Sequence, residues 1–244
     1  MRGLLLFLLL AGCQSATPVA EPPPSPCSQR EFEGSRFTVC DSKGGEIRLI
    51  GASPGETPLR SFADLHTSLN PAGVAFAMNA GMFDEAGRPI GLAIVDGQEV
   101  HAINRRKGFG NFHLLPNGVF LVRADGRAEA VATESFKPAA DIRLATQSGP
   151  MLVIGGKLHP RIEFDGQSRN IRNGVGVRDG KALFVISKDL VSFGKLARFF
   201  RDDLKTPDAL YFDGSVSSLW DPAGNRQDSH SPLGPMVVVL KPSA

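Results

Sequence analysis

Short apolar runs and hairpin-like alternation dominate the chain after residue 35. Residues 36–40 and 46–50 carry strand-like patterns on either side of Ser42-Lys43-Gly44-Gly45, which predicts a hairpin. Residues 74–78, Val-Ala-Phe-Ala-Met, are continuously apolar and predict a central strand. Further strands are expected at 91–95, 99–103, 118–123, 128–132 and 235–240, and a hairpin at 174–177 and 182–187 about Asp179-Gly180. Two helices stand out. Ser61 caps one over 62–69, closed by Asn70-Pro71, and Ser192 caps a longer one over 193–204. In the second, Leu196, Ala197, Phe199, Phe200 and Leu204 fall largely on one face. Many strands, few helices and hairpin connections predict an α+β fold with a mixed or antiparallel sheet core. No composition break appears after residue 30, so a single domain is expected over 29–244.

The first 28 residues follow different rules. Met1-Arg2 supplies a positive charge, and Leu4 to Leu10 is apolar but too short to span a bilayer. Leu10-Ala11-Gly12-Cys13 then resembles the bacterial lipoprotein processing box, which implies a signal peptide over 1–12 and a lipidated Cys13. Gln14 after the cysteine implies sorting to the outer membrane, with the domain in the periplasm. The rest of 13–28 is rich in Pro, Ala and Ser and lacks apolar periodicity, so it is expected to be a tether. At about 3.1 Å per residue it would reach roughly 40 Å from the lipid.

Composition adds limits. The chain has 244 residues, 42% hydrophobic and 21% charged, enough for a full core. A formal net charge of +2 gives no electrostatic case for nucleic acid. Cys27 and Cys40 are the two remaining cysteines of an exported chain, which predicts a disulfide worth roughly 3 kcal/mol by loop closure. The five histidines have no metal-ligand spacing, and no P-loop, dinucleotide fingerprint or Gly-x-Ser-x-Gly elbow is present. No cofactor is therefore called for, and a divalent cation is left open.

One stretch does not behave as a turn. Asp96-Gly97, Asp125-Gly126 and Asp179-Gly180 each join two strand-like runs, whereas Asp213-Gly214 ends an apolar strand without promptly starting another. A buried strand stopping on a carboxylate and small hydroxyl residues suits a ligand site, above all for an anion. Residues 74–78 repeat the arrangement by running into Asn79-Ala80-Gly81-Met82-Phe83-Asp84.

Five segments resemble, in order, the motifs of the phosphodiester glycosidase family. They are Asn79-Ala80-Gly81-Met82-Phe83, Pro89-Ile90-Gly91-Leu92, Gln147-Ser148-Gly149-Pro150, Arg172-Asn173-Gly174-Val175-Gly176 and Asp213-Gly214-Ser215-Val216-Ser217-Ser218. The resemblance covers roughly 70–240 and implies hydrolysis of a sugar-1-phosphodiester at the C1–O bond. Expelling a phosphomonoester needs little acid assistance, so the site needs an anion cradle and a carboxylate facing the anomeric carbon. On this reading Asp213 is nucleophile or base, and Asn79 and Gln147 bind sugar hydroxyls or an amide. Arg172 holds the phosphate, with Asn173, Gly81, Gly214, Ser217 and Ser218 completing the substrate site. The alternatives are a turn role for Asp213, a surface role for Arg172 and backbone-satisfying roles for the amides. His159, Glu163 and Asp189 are the reserve acid–base candidates. The chain departs from the family in having Asp-Gly-Ser-Val-Ser-Ser where Asp-Gly-Gly-Gly-Ser is usual, so its loop should take a different backbone path. A non-catalytic glycan- or phosphate-binding lipoprotein is the competing function.

Overall fold

The apolar runs become strands buried on both faces, and this organises the molecule. In the computed structural model, which describes residues 24–51 and 57–242, strand Val74–Asn79 lies between Met236–Leu240 and Leu219–Asp221. Phe76 and Met78 enter the main core, while Val74 and Ala77 pack on the opposite side with Phe62, Leu65 and Trp220. Val237 and Val239 alternate with Met236 and Val238 in the same way. A strand with a core on each side has no polar face, which is why these segments read as unbroken apolar runs.

Three sheets surround the main core. The largest has seven strands, ordered Cys27–Phe32, Ser35–Asp41, Lys181–Ser187, Asn173–Arg178, Asp208–Tyr211, Met151–Ile154, Lys157–Leu158. The sheet containing Val74–Asn79 has five, with Arg226–Gln227 and Ile47–Ile50 at its edges. Another five, Gln98–His101, Ala93–Val95, Ile142–Ser148, Gly118–Arg123 and Ala128–Ala132, make the third. The strand pairs are antiparallel. With two short α-helices among the described residues and one domain, the α+β expectation holds. Phe76, Phe120, Phe184 and Phe212 meet edge-on or tilted at the centre, so these phenylalanines are core residues.

Three local expectations are corrected. Ser42–Gly45 is not a hairpin turn, because Ser35–Asp41 pairs with Cys27–Phe32 and Lys181–Ser187, while Ile47–Ile50 crosses to Met236–Leu240. Both strands find partners distant in sequence, which local turn chemistry cannot reveal. The helix from 193 is α-helical only over Phe193–Arg198 and continues as a π-helix over Phe199–Asp203. The end of the segment expected to be tether, residues 13–28, takes part in the fold. Cys27 opens the edge strand, and Ser25 donates to the Asp221 carboxylate at 2.8 Å. The Cys27–Cys40 disulfide joins the first strand pair as expected. Residues 1–12 and Cys13, the expected signal peptide and lipidation site, lie outside the described residues.

The helical expectations otherwise stand. Ser61 accepts from the Asp64 N–H to cap Phe62–Ser68, and Ser192 accepts from the Lys195 N–H to cap Phe193–Arg198. That second helix packs on the outer face of the seven-stranded sheet through Leu196, Ala197, Phe199 and Phe200. Its first residue, Phe193, reaches the site described next.

Candidate active site around Arg172

Strand Asn173–Arg178 begins where its antiparallel neighbour Asp208–Tyr211 ends, with Gly174 opposite Tyr211. The Phe212 N–H donates to the Asn173 carbonyl at 3.2 Å, and the Asp213 N–H to the Ala80 carbonyl at 3.0 Å. Three motif segments therefore meet at one end of two sheets. A cavity of about 280 Å³ opens there, with Arg172, Tyr211, Asn111, Asn170, Ser217 and His230 among its walls.

Arg172 is the unusual residue. It is only 1% exposed. Its Nε donates to the Val191 carbonyl at 2.9 Å and its Nη1 to the Tyr211 hydroxyl at 3.0 Å. Nη2 donates to the carbonyl and hydroxyl of Ser168, both at 3.0 Å. The Phe193 ring covers the guanidinium with its centroid 3.6 Å from Cζ. None of these partners is an anion. Burial pushes the Arg172 pKa down, with Tyr211 opposing the shift, and burial pushes the Tyr211 phenol up. Arginine nonetheless remains charged in proteins. A buried cation without a counter-ion is costly, and an anion entering the cavity offsets that cost. Tyr211 also explains Gly214: a Cβ at residue 214 would run into the Tyr211 hydroxyl.

A closed amide network stands beside the cavity. Asn79 Oδ1 accepts from Asn173 Nδ2 and from the Ser218 N–H, each at 2.8 Å, and its Nδ2 donates to the Asp213 carbonyl at 2.7 Å. Asn173 Oδ1 in turn accepts from Ser217 Oγ at 3.0 Å. Ser218 Oγ donates to the Val216 carbonyl at 2.7 Å. Asn79, Asn173 and Ser218 thus tie the three strand ends together, and of these motif residues Ser217 lines the cavity. Asn79 is buried, its Oδ1 accepts two hydrogen bonds already, and it does not line the cavity.

Gln147 lies elsewhere. Its Oε1 accepts from the N–H groups of Leu92 and Asn104, and its Nε2 donates to the Asn104 carbonyl and to Thr133 Oγ1. The motif around Gly91 packs on it, since a Cβ at 91 would strike the Gln147 side chain. Gly81 likewise permits close approach to the backbone of Gln147 and to Thr146. The geometry gives Gln147 and Gly81 the work of joining segments.

Asp213 is not itself among the residues lining the cavity, although the next two, Gly214 and Ser215, are. Its Oδ1 accepts from the Ser215 N–H at 3.1 Å and from Ser215 Oγ at 2.5 Å, capping the 3-10 turn Gly214–Val216. The chain then turns away from a hairpin, as its sequence suggested. The reserve candidates are dispersed. Asp189 pairs with Arg36, which holds its carboxyl down at about 2. His159 is buried, with Nδ1 accepting from the Arg161 N–H. Glu163 is exposed on the loop before strand Asn173–Arg178, where its carbonyl lies close to Gly194 of helix Phe193–Arg198. None of the three lines the cavity.

Tyr211, Asn111, Asn170 and His230 were not singled out from the sequence. Tyr211 carried a signal, being the chain's single tyrosine two residues before Asp213. Asn111 opens the short 3-10 turn Asn111–His113, and Asn170 and His230 lie between named strands, none with a local pattern that announces a site. Among the described residues no group of three potential metal-binding side chains comes together. Another cavity, of about 310 Å³ beside Arg48, Arg123 and Arg143, has each arginine paired with a carboxylate and offers no comparable uncompensated charge.

The sequence profile of the phosphodiester glycosidase family matches residues 72–240. The chain is 38% identical over 167 residues to the uncharacterized protein YigE of Escherichia coli (strain K12), covering 68% of this chain and 65% of that one. In fold it is similar to the zebrafish N-acetylglucosamine-1-phosphodiester α-N-acetylglucosaminidase catalytic domain, auto-inhibited by its pro-peptide. That likeness has a TM-score of 0.63 at 13% identity, over 88% of this chain and 82% of that one. A hypothetical protein from Synechocystis gives a TM-score of 0.55 at 15% identity, over 88% and 61%. The profile spans the cavity residues from Asn111 to His230 together with the strands that deliver them, and the chain belongs to the phosphodiester glycosidase family.

Proposed function

We propose that this protein is a lipid-anchored periplasmic hydrolase that cleaves the C1–O bond of a sugar-1-phosphodiester. The observation that carries the reading is Arg172, a buried guanidinium with no anionic partner at the wall of an open cavity. The substrate phosphate supplies the missing charge, held by Arg172 and by hydroxyl groups of Ser217 and Tyr211. Water adds to the anomeric carbon and gives its proton to Asp213, while the C1–O bonding pair leaves with the phosphate as a phosphomonoester. Charge on that leaving oxygen develops next to Arg172, so the same contact stabilises ground state and transition state. The similarity to a zebrafish enzyme named for an N-acetylglucosamine-1-phosphodiester supports this substrate class.

The capped Asp213 favours a second reading, a phosphate- or glycan-binding lipoprotein without turnover, because Ser215 already occupies one carboxylate oxygen. Incubation of the purified protein with a panel of sugar-1-phosphodiesters, with and without EDTA, separates the two. Release of free sugar supports the hydrolase, and the EDTA arm decides whether a cation takes part. Saturable binding with no release from any member of the panel supports the binding protein instead.

A further inference from the structure

One titratable side chain on the cavity wall has no part in the reaction described above. His230 lines the cavity together with Arg172, Tyr211 and Ser217. It lies between strands Arg226–Gln227 and Met236–Leu240, on a segment fastened where the Leu233 N–H donates to the Arg60 carbonyl at 2.7 Å. Its imidazole is exposed and makes no hydrogen bond or ion pair among the described residues. The carboxylates closest to it along the wall segments are engaged. Asp228, on its own segment, accepts from Arg226 at 2.7 Å and from the Leu219 N–H at 3.0 Å. Asp213, on the turn that supplies Gly214 and Ser215 to the wall, accepts from Ser215. Tyr211 and Arg172 share the cavity with His230 and bond each other at 3.0 Å.

A charge count gives this side chain a task. A phosphodiester carries one negative charge, and Arg172 brings one positive charge to meet it. The phosphate that leaves carries a second negative charge, which develops only as the C1–O bond breaks. Arg172 acts on substrate and transition state alike, whereas a group that answers the second charge lowers the barrier selectively. Of the residues lining the cavity, only Arg172 and His230 have side chains able to carry a positive charge. At about 280 Å³ the cavity is at the small end for a ligand site, so groups on its walls reach one bound phosphate. Only a weak acid is needed, because a phosphomonoester takes up its second proton near about pH 6. Histidine is the side-chain type that exchanges protons in that range.

We propose that His230 is the proton donor to the leaving phosphate, placed on the same cavity wall as the Arg172 that holds it. As the C1–O bonding pair moves onto the phosphate, the imidazolium gives its proton to a phosphate oxygen. The water that adds to C1 gives its own proton to Asp213. The phosphomonoester departs as a monoanion, and His230 and Asp213 then re-exchange protons with solvent. This rests on the hydrolase reading of the cavity and adds the acid to it.

Two anions of fixed charge test the contact without turnover. Sulfate is a tetrahedral dianion and methyl sulfate a monoanion, and neither titrates near neutrality. Calorimetry on the full chain at about pH 6 should show His230→Gln narrowing the sulfate-over-methyl sulfate affinity ratio about tenfold or more. Arg172→Ala should weaken both anions, with circular dichroism checking the fold of each variant. An unchanged ratio in His230→Gln overturns the proposal. On a methyl sugar-1-phosphodiester, His230→Gln should lower kcat about a hundredfold with KM nearly unchanged, and remove the decline of wild-type kcat at alkaline pH. Sugar release with an unaltered kcat and pH profile in His230→Gln overturns the acid and leaves the hydrolase reading standing. No release by the wild-type protein overturns the hydrolase reading and the acid together, and a narrowed ratio then assigns His230 to binding of a dianion alone.

Discussion

Arg172 shows how a residue's role follows from what it lacks. A surface arginine would be hydrated, and a structural buried one would have a carboxylate, as Arg198 has in Glu33 at 2.6 Å. Arg172 has carbonyls, hydroxyls and an aromatic face, all suited to orienting a cation and none to neutralising it. Arg172→Ala is therefore expected to weaken phosphodiester binding about 10- to 100-fold, at about 1.5–3 kcal/mol for a charge-assisted contact, read by calorimetry. Arg172→Lys should recover only part, because a lysine cannot keep the fork on Tyr211, Ser168 and Val191 together. His159 makes a pH prediction. Burial, with Arg161 adding repulsion, holds its folded pKa below the ordinary value of 6.5. The unfolded chain then takes up the proton first, so stability is intact above about pH 6.5 and falls as the pH drops below it. Urea midpoints for the wild type should decline between pH 7.5 and 5.5. The decline should be smaller in His159→Gln.

At the scale of elements, the site is a meeting of strand ends, and the amide network is the joint. Asn79 joins the end of Val74–Asn79 to Asn173 and to the Ser218 N–H. Asn79→Ala leaves buried donors without partners, each costing about 1–3 kcal/mol, so a thermal midpoint lower by several degrees is expected. Asn79→Ala should lose more stability than Ser217→Ala, whose hydroxyl borders the open cavity. The elements themselves were legible where a rule is local. Ser61 and Ser192 capped the predicted helices, and Asp96-Gly97 and Asp179-Gly180 take the left-handed conformations that tight hairpin turns require. The Ser42–Gly45 segment was misread because its flanking strands are claimed by Lys181–Ser187 and Met236–Leu240. No spacing announces that Asn111 and His230 share a cavity with Arg172, since loop positions are set by tertiary packing alone. The motif residues were found readily, yet Asn79 and Gln147 turn inward to hold the frame.

At the scale of the molecule, three antiparallel sheets enclose one core and leave the site where two of them end together. The disulfide clips the outermost strand to this body, closing a loop of 13 residues. Cys27→Ser/Cys40→Ser should cost roughly 3 kcal/mol of unfolding free energy, read in guanidinium titrations. The proposed export and anchoring rest on residues 1–13, which lie outside the described residues. Cys13→Ser should move the protein from the membrane to the soluble periplasmic fraction, and an unlipidated wild-type protein would contradict the anchor. The central claim is that the cavity beside Arg172 performs hydrolysis with Asp213 as its base. Steady-state kinetics of Asp213→Asn on a sugar-1-phosphodiester tests it most directly. The account predicts a kcat lower by orders of magnitude with ground-state affinity nearly intact, because the amide keeps the carboxylate's shape and loses its basicity. A fully active Asp213→Asn would contradict it.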